Sequence, residues 1–310
     1  MAAVDGCAAH LEAMRIGLET GYTECYWGDW FTSPMIGGSE RIVVELAREF
    51  AALGHEVTVR LPYDHPDFVR YGVRWRSLSS PQERFDLLYS FDGHQLRNSG
   101  DCRVLVVCRS DPPPTTDWHQ MIFLSPHHAR LMGHPDRPSI GGGVRLEDYE
   151  GKSRRVPGRV ICTSSPDRCS MAFPIGEMFP GFIATYRPVT GLPKTKEMTR
   201  DDLVKLQRSA MVMMYPLDPI RPSDFFSMSV LESLAAGTPV VVSDADSMSE
   251  LWGGVTVMIP RPIHIAEWVG AIERLLIDKK HWTQYSMLGR AAAQQHAWPV
   301  VAQRYLDAAT

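Results

Sequence analysis

Short apolar runs rich in β-forming residues alternate with helical segments in two successive series along this chain of 310 residues. In the first half the runs lie at residues 14–19, 56–61, 85–91, 103–108 and 121–125. In the second half they lie at residues 159–164, 182–186, 211–216, 239–244 and 255–260. Strands that alternate with helices favour parallel sheets covered by helices on both faces. We therefore predict an α/β chain with two Rossmann-like domains that face each other across a cleft.

The boundary between the two series falls in residues 141–157, which combine glycines with a charged run from Lys152 to Arg155. This segment lacks hydrophobic periodicity, as is typical of a linker between domains. We expect a first domain over residues 1–150 and a second over residues 151–297.

Composition limits the class of protein. The chain is 44% hydrophobic and 22% charged, and no run approaches the roughly 20 apolar residues that span a bilayer. Asp5 and Glu12 stand where a signal peptide would be apolar, and the six cysteines are scattered without metal-site or redox spacing. We expect reduced thiols and a cytoplasmic location, in a prokaryotic or virus-infected host cell. The net charge of −4 gives no overall positive field toward nucleic acid.

Asp224 and Glu232 lie in the most informative part of the chain, residues 223–241, where we predict a loop, a short helix ended by Gly237 and a buried strand. The two carboxylates lie about 12 Å apart if the segment is helical throughout. Amides at the start of such a helix can bind a diphosphate, and acids on either side can hold sugar and ribose hydroxyls. On the residues alone, a surface aspartate before an amphipathic helix is an alternative.

The run over residues 223–241, with its trailing Ala-Ala-Gly-Thr-Pro-Val-Val, resembles the signature of two glutamates separated by seven residues in retaining glycosyltransferases. These are the group 1 enzymes of the GT-B fold, related to glycogen synthases, and Asp224 replaces their first glutamate. The resemblance implies transfer of a sugar from a nucleotide-diphosphate sugar, UDP-sugar first, to an acceptor hydroxyl with retention. It places Asp224 by the reacting sugar, Glu232 at the ribose, and Phe226, Ser227 and Met228 at the donor.

Two further sites match the same family in the same order. Gly37 and Gly38 precede a helix predicted over residues 40–53 and resemble the loop that approaches the donor phosphates, where glycine permits close contact. Arg168 follows the strand at 159–164 and resembles the arginine that binds the diphosphate with its rigid fork of donors. A simple turn and a loop arginine paired with Asp167 are the alternatives.

The match is incomplete beyond these positions. The family commonly adds a lysine five residues after that arginine, and Phe173 stands here. The final helix, about residues 298–310, resembles the one that packs back on the first domain.

On the acceptor side, the family often has a histidine after the fifth strand, where this chain has Asp111 in residues 108–114. A carboxylate at the carboxyl end of a strand can orient or deprotonate an acceptor hydroxyl, or it can cap the loop. His94, which follows the strand predicted at residues 85–91, is the second candidate for the catalytic role. We expect the pair His127-His128 to begin a helix on the outside of the domain.

No metal or cofactor is expected besides the nucleotide sugar. Asp244 and Asp246 form an Asp-X-Asp triplet, which binds metal in glycosyltransferases of the GT-A fold, but here it follows a buried strand. We interpret it as a helix-capping loop that leads to Glu250.

The acceptor and the oligomeric state stay open, with saccharide, lipid-linked sugar, protein and modified DNA as possible acceptors. A virus-type enzyme that glycosylates hydroxymethylated bases would need a basic track and base extrusion. The candidates for that track are Arg41, Arg48 and Arg60, or Lys152, Arg154 and Arg155. The same fold would also suit a sugar-nucleotide epimerase or a non-catalytic sugar-nucleotide binder.

Overall fold

The computed structural model describes residues 13–21, 37–62, 64–92, 99–109, 118–164, 168–185, 198–217 and 224–309. It confirms the α/β class: two separate, largely parallel sheets carry helices between their strands. Each of the ten runs predicted as strands overlaps one observed strand.

The first sheet has seven strands in the order β3-β4-β2-β1-β5-β6-β7. Their bounds are β1 Arg15–Thr20, β2 Glu56–Leu61, β3 Phe68–Arg70, β4 Val73–Ser77, β5 Arg84–Phe91, β6 Ser99–Val107 and β7 Gln120–Phe123. Every pairing is parallel except that of β3 with β4. This antiparallel hairpin was not predicted. In β4 the buried Val73 and Trp75 alternate with the less buried Arg74 and Arg76, and this alternation has the two-residue period of a strand.

The second sheet has five strands in the order β12-β11-β10-β8-β9, all parallel. Their bounds are β8 Arg159–Cys162, β9 Gly181–Ala184, β10 Val212–Tyr215, β11 Val240–Ser243 and β12 Val257–Ile259. Strands β10 and β11 are buried along their whole length, as expected of strands with helices on both faces.

Nine helices lie within the described parts of the chain. They are α1 Gly38–Ala52, α2 Pro126–Leu131, α3 Ala172–Gly176, α4 Arg200–Ser209, α5 Met228–Ala235, α6 Met248–Trp252, α7 Ile265–Ile277, α8 Lys279–Gln294 and α9 Trp298–Ala309, with a short 3-10 helix at Leu146–Tyr149. Helix α1 ends where the sequence places the stop, since Gly54 follows it with a left-handed φ of 93°. None of the helices is long and apolar enough to cross a membrane, as far as the described residues go.

Helix α9 contacts the first sheet domain, although it follows the second in the sequence. Tyr89 on β5 donates its hydroxyl to the Tyr305 carbonyl oxygen at 2.8 Å, and Tyr305 donates to the Ile140 carbonyl oxygen at 3.0 Å. The last helix therefore joins the two halves of the chain through buried hydrogen bonds.

Gly141 and Gly142, in the segment between the two sheets, pack closely against the second domain. A Cβ atom added at Gly141 would lie 2.1 Å from the ring of Phe226, and one at Gly142 would lie 2.5 Å from the sulfur of Met228. Both contacts are with the start of the α5 segment. The glycines that were predicted to form a linker thus allow the first domain to approach Phe226 and Met228 closely.

Because of this close approach, we expect two glycine-to-alanine substitutions to change the free energy of unfolding in opposite directions. We expect Gly141→Ala to lower the free energy of unfolding by roughly 1–3 kcal/mol through overpacking against Phe226. The control is Gly270→Ala in α7, where nothing lies within 4 Å of the added Cβ; it should raise the free energy of unfolding by about 0.5–1 kcal/mol. Urea denaturation measures both, and equal effects would refute the close packing of the linker.

Candidate active site

The amino ends of α1 and α5 lie next to each other between the two sheets. Gly37 precedes α1, and a Cβ at Gly38 would lie 3.2 Å from the Cγ atom of Met228, the first residue of α5. Ser227 caps α5, since its Oγ accepts from the amide of Val230 at 3.3 Å. Other first-turn amides have no partner inside their helices, and both helix dipoles favour negative charge here. The arrangement suits an anion.

Asp224 lies just before this helix end and is buried, with 3% of its surface exposed. Its Oδ2 accepts from the hydroxyl of Tyr215 at the end of β10, and its Oδ1 accepts from the amide of Phe226 at 3.2 Å. Ser247 donates to the Asp224 carbonyl oxygen at 3.0 Å. Burial raises the pKa of Asp224 above its ordinary value, against the opposing effects of the Arg168 charge and the Tyr215 hydrogen bond. The carboxylate is therefore held in one orientation.

Arg168 lies on the more exposed side of this carboxylate. Its Nη1 is 3.9 Å from Asp224 Oδ2, and about half of its side chain is exposed. Ser164, which lies between the end of β8 and Arg168 in the sequence, donates to the Tyr215 hydroxyl at 3.5 Å. Phe173, in the position of the family's lysine, packs edge-on against Phe182 and adds no charge. The structure thus brings Arg168 and Asp224 together.

Glu232 lies inside α5 and its carboxylate is enclosed by charged and polar partners. Its Oε1 accepts from Arg41 of α1 and from Arg200 Nη1 at 2.6 Å, and its Oε2 accepts from Gln207 Nε2 at 3.1 Å. Burial by itself raises the pKa of Glu232, but the positive charges of Arg200 and Arg41 outweigh it and lower that pKa below its ordinary value. The bond to Arg41 ties the first domain to the second.

Residues from the 3-10 helix complete this cluster. Arg200 Nη2 donates to Asp148 Oδ2 at 3.3 Å and to the Tyr149 hydroxyl at 3.2 Å, and that hydroxyl donates to Gln207 Oε1 at 2.7 Å. Sequence reasoning missed Arg200 and interpreted Arg41 only as a possible surface cation. No local signal marks either one, because Arg41 is 191 positions and Arg200 is 32 positions from Glu232 in the chain.

The two acceptor-side candidates, Asp111 and His94, lie outside the described residues. Asp92, at the end of β5, takes the left-handed conformation with φ 59°. Its Oδ1 accepts from the amides of Cys108 at 2.6 Å and Arg109 at 3.2 Å, and its Oδ2 pairs with Arg109 Nε at 3.2 Å. Asp92 therefore fixes the start of the segment that leads to Asp111. The signal for it was an aspartate before glycine at a strand end, a position that favours a turn.

The prediction for the His127-His128 pair is half right. The pair does begin helix α2, but His128 is fully buried and not on the outside. Its ring stacks on Phe225, with the centroids 3.8 Å apart and the planes 2° from parallel. Successive side chains of a helix point about 100° apart, so His127 can be more exposed than the adjacent His128.

The Asp-X-Asp triplet also differs from its interpretation. Ser247 rather than either aspartate stands at the N-cap of α6, and Asp246 pairs with Arg261 at 4.0 Å. Within the described parts of the chain, no three His, Cys, Asp or Glu side chains gather as a metal site would require.

Tyr215→Phe tests how Asp224 is held. The Tyr215 hydrogen bond lowers the pKa of Asp224, so its removal should raise that pKa further. If turnover requires the ionised carboxylate, the acid limb of the pH–rate profile moves to higher pH. Tyr89→Phe serves as the control, because the Tyr89 hydroxyl donates to the remote Tyr305 carbonyl oxygen and not to Asp224. An acid limb unmoved in Tyr215→Phe would contradict this role.

Comparison with known proteins adds two findings. Residues 190–278, less than a third of the chain, match the family model described as glycosyl transferases group 1. This stretch contains Asp224 and Glu232. None of the curated proteins is close enough in sequence to count as a relative.

Solved structures match almost the whole chain. A sucrose-phosphate synthase from Thermosynechococcus elongatus has a TM-score of 0.69 at 13% identity, covering 94% of this chain and 97% of its own. AviGT4, a glycosyltransferase involved in avilamycin A biosynthesis, has a TM-score of 0.70 at 16% identity, covering 95% and 96%. Anabaena HepE, solved in complex with UDP-glucose, has a TM-score of 0.65 at 13% identity, covering 95% and 98%. The chain thus has the GT-B fold of glycosyltransferases, and its second half carries the segment that matches the group 1 model.

Proposed function

We propose that this protein transfers a sugar from a nucleotide-diphosphate sugar, in the first instance a UDP-sugar, to an acceptor hydroxyl with retention of configuration. The observation that carries the proposal is the convergence of Arg168, Asp224 and the amino ends of α1 and α5 between the two sheets. The match of residues 190–278 to the group 1 glycosyltransferase model supports the same reaction.

The diphosphate is proposed to lie at the paired helix ends. Amides near Gly38 and Met228 offer hydrogen bonds there, and the Arg168 guanidinium offers a fork that suits two phosphates. Their fixed positive potential would balance the charge that develops as the diphosphate leaves. We therefore propose that transfer needs no metal ion.

The carboxylates of Asp224 and Glu232 are proposed to bind different parts of the donor. Asp224 borders the diphosphate site and is proposed to accept hydroxyls of the transferred sugar. Glu232 is proposed to accept a ribose hydroxyl. A carboxylate has about four acceptor positions, and Glu232 Oε2 has one described partner, Gln207.

In the proposed reaction the bond from the anomeric carbon to the diphosphate oxygen breaks, and the acceptor oxygen bonds that carbon from the same face. The acceptor proton passes to a base, for which Asp111 and His94 are the candidates. Stabilisation of the leaving diphosphate by Arg168 and the helix amides would be the largest contribution to the rate. Closure of the two domains would exclude the water that hydrolyses the donor.

Transfer to DNA has less support among the described residues. Arg60 is fully buried and bonds the Ser80 carbonyl oxygen and Glu83, so it cannot belong to a surface track. Arg41 is bound to Glu232, and Arg155 donates to the Ala236 carbonyl oxygen at the end of α5. Of the six candidates Arg48, Lys152 and Arg154 are left, which is a sparse set for a duplex.

Mass spectrometry of the protein with a panel of nucleotide sugars and acceptors tests the proposal. The panel includes saccharides, lipid-linked sugars and hydroxymethylated DNA. We expect one acceptor to gain a sugar residue as the nucleoside diphosphate is released. A changed nucleotide sugar without any acceptor would favour an epimerase, and tight donor binding without turnover would favour a non-catalytic binder.

A further inference from the structure

His128 is buried, and backbone groups occupy both nitrogens of its ring. Its Nδ1 accepts from the Leu124 amide at 3.4 Å, and its Nε2 donates to the Arg109 carbonyl oxygen at 3.0 Å. Burial lowers the pKa of His128 to about 4, so the ring is neutral near pH 7. With both nitrogens engaged, this histidine has no free position for proton transfer to a substrate. The role of His128 therefore depends on the groups that its ring contacts.

One face of the His128 ring packs against the segment that contains Asp224. Phe225 lies flat against it at 3.8 Å, and Phe225 is itself largely buried. The residue before Phe225 is Asp224, and the residue after it donates its amide to the Asp224 carboxylate. A shift of the Phe225 ring would therefore move both ends of the turn that carries this carboxylate.

The edge of the His128 ring contacts Arg109, which follows β6 in the first domain. Arg109, whose carbonyl oxygen accepts from His128, begins the segment that leads to Asp111. Asp92 holds the same residue through its amide. His128 thus touches the start of the acceptor-side segment and the donor motif at the same time.

A second contact fixes α2 against the second domain. Glu250 of α6 accepts from the His127 amide at 2.7 Å and from Arg130 Nη1 at 2.9 Å. Ser247, which precedes α6, donates to the Asp224 carbonyl oxygen. Helix α2, the start of α6 and the Asp224 turn therefore form one packed unit across the two domains.

We infer that His128 is a positioning residue: by stacking on Phe225 while it donates to the Arg109 carbonyl oxygen, it fixes the position of the Asp224 carboxylate relative to the first domain. This inference rests on the proposed function. Aspartate is one methylene shorter than the glutamate of the resembling family, so its reach depends more on where its backbone lies. A displacement of about 1 Å at a reacting centre can cost 100-fold in rate.

Binding of two probes separates this role from simple stabilisation. UDP lacks the sugar that Asp224 is proposed to hold, whereas UDP-glucose carries one. We expect His128→Leu, which removes the stack, to raise the Kd of UDP-glucose by about tenfold and to change the Kd of UDP by less than about twofold. Phe225→Leu should give the same pattern, and the double variant should add little to either.

Two further variants keep the test decisive. His128→Phe retains a flat ring and should preserve the ratio of the two Kd values, even if loss of its hydrogen bonds lowers the melting temperature. His127→Ala keeps the backbone amide that bonds Glu250 and is the neighbouring control. Calorimetry measures binding, and thermal melts check folding.

An unchanged ratio in His128→Leu and Phe225→Leu, or an equal loss of both nucleotides, would overturn the positioning role while the proposed function stands. If the unmodified protein bound neither UDP nor UDP-glucose, the function proposed with a UDP-sugar would fail and this inference with it.

Discussion

Asp224→Asn should reduce sugar transfer by about 100-fold, the scale of loss when a group that positions the reacting sugar no longer holds it in place. Asparagine keeps the shape and one oxygen, which can accept from the Phe226 amide, while its NH2 group takes the place of the oxygen that accepts from Tyr215. The change removes the charge beside Arg168. Initial rates of product formation at saturating donor measure the loss.

The fold should tolerate this change. Because burial raises the pKa of Asp224 in the folded state, its ionised form opposes folding as the pH rises through that value. At pH 7 the neutral asparagine should therefore leave the melting temperature unchanged or higher. Asp224→Glu, which restores the residue of the resembling family, should retain more activity than asparagine. Full activity in Asp224→Asn would remove Asp224 from the reaction, and loss of activity with unfolding would make its role structural.

Glu232→Ala should give the largest loss of stability. The change leaves the guanidinium groups of Arg41 and Arg200 buried without the carboxylate that both contact. Breaking a buried pair by removing one partner costs about 3–5 kcal/mol, because a charge is left uncompensated. Chemical denaturation at pH 7 measures the change. Since the pKa of Glu232 is lowered in the folded state, its stabilisation is fully present at that pH and is lost as the pH falls through the folded value.

Two comparisons show whether charge is responsible. Glu232→Gln keeps polar contacts but no charge, so we expect an intermediate loss. Glu267→Ala on the exposed face of α7 should change the free energy of unfolding by less than about 0.5 kcal/mol. A loss below about 1 kcal/mol in Glu232→Ala would contradict the stabilising role of this cluster.

The strands were predictable because apolar runs bounded by Gly, Pro, Asp or Ser report local structure directly. The hairpin of β3 and β4 was missed, since its exposed first strand carries no buried run. Residues 141–157 were interpreted only as a linker, because glycine patterns do not reveal the rings of Phe226 and Trp298 that pack against them.

The site was predictable only where it is local in sequence. Asp224 and Glu232 share one segment, and the resemblance located Gly38 and Arg168 near them. The partners that orient these groups come from distant segments: Arg41 for Glu232, and His128 for Phe225. A sequence does not show which helix face will meet another domain, so His128 was placed on the wrong side.

The anomeric configuration of the product tests the central claim most directly. The donor and acceptor found by mass spectrometry are incubated with the unmodified protein and with Asp224→Asn, and proton NMR follows the anomeric signal of the transferred sugar. We predict that the donor's anomeric configuration is kept, with one nucleoside diphosphate released per sugar transferred and almost no product from Asp224→Asn. An inverted product, or equal turnover by the two proteins, would contradict retaining transfer at Asp224.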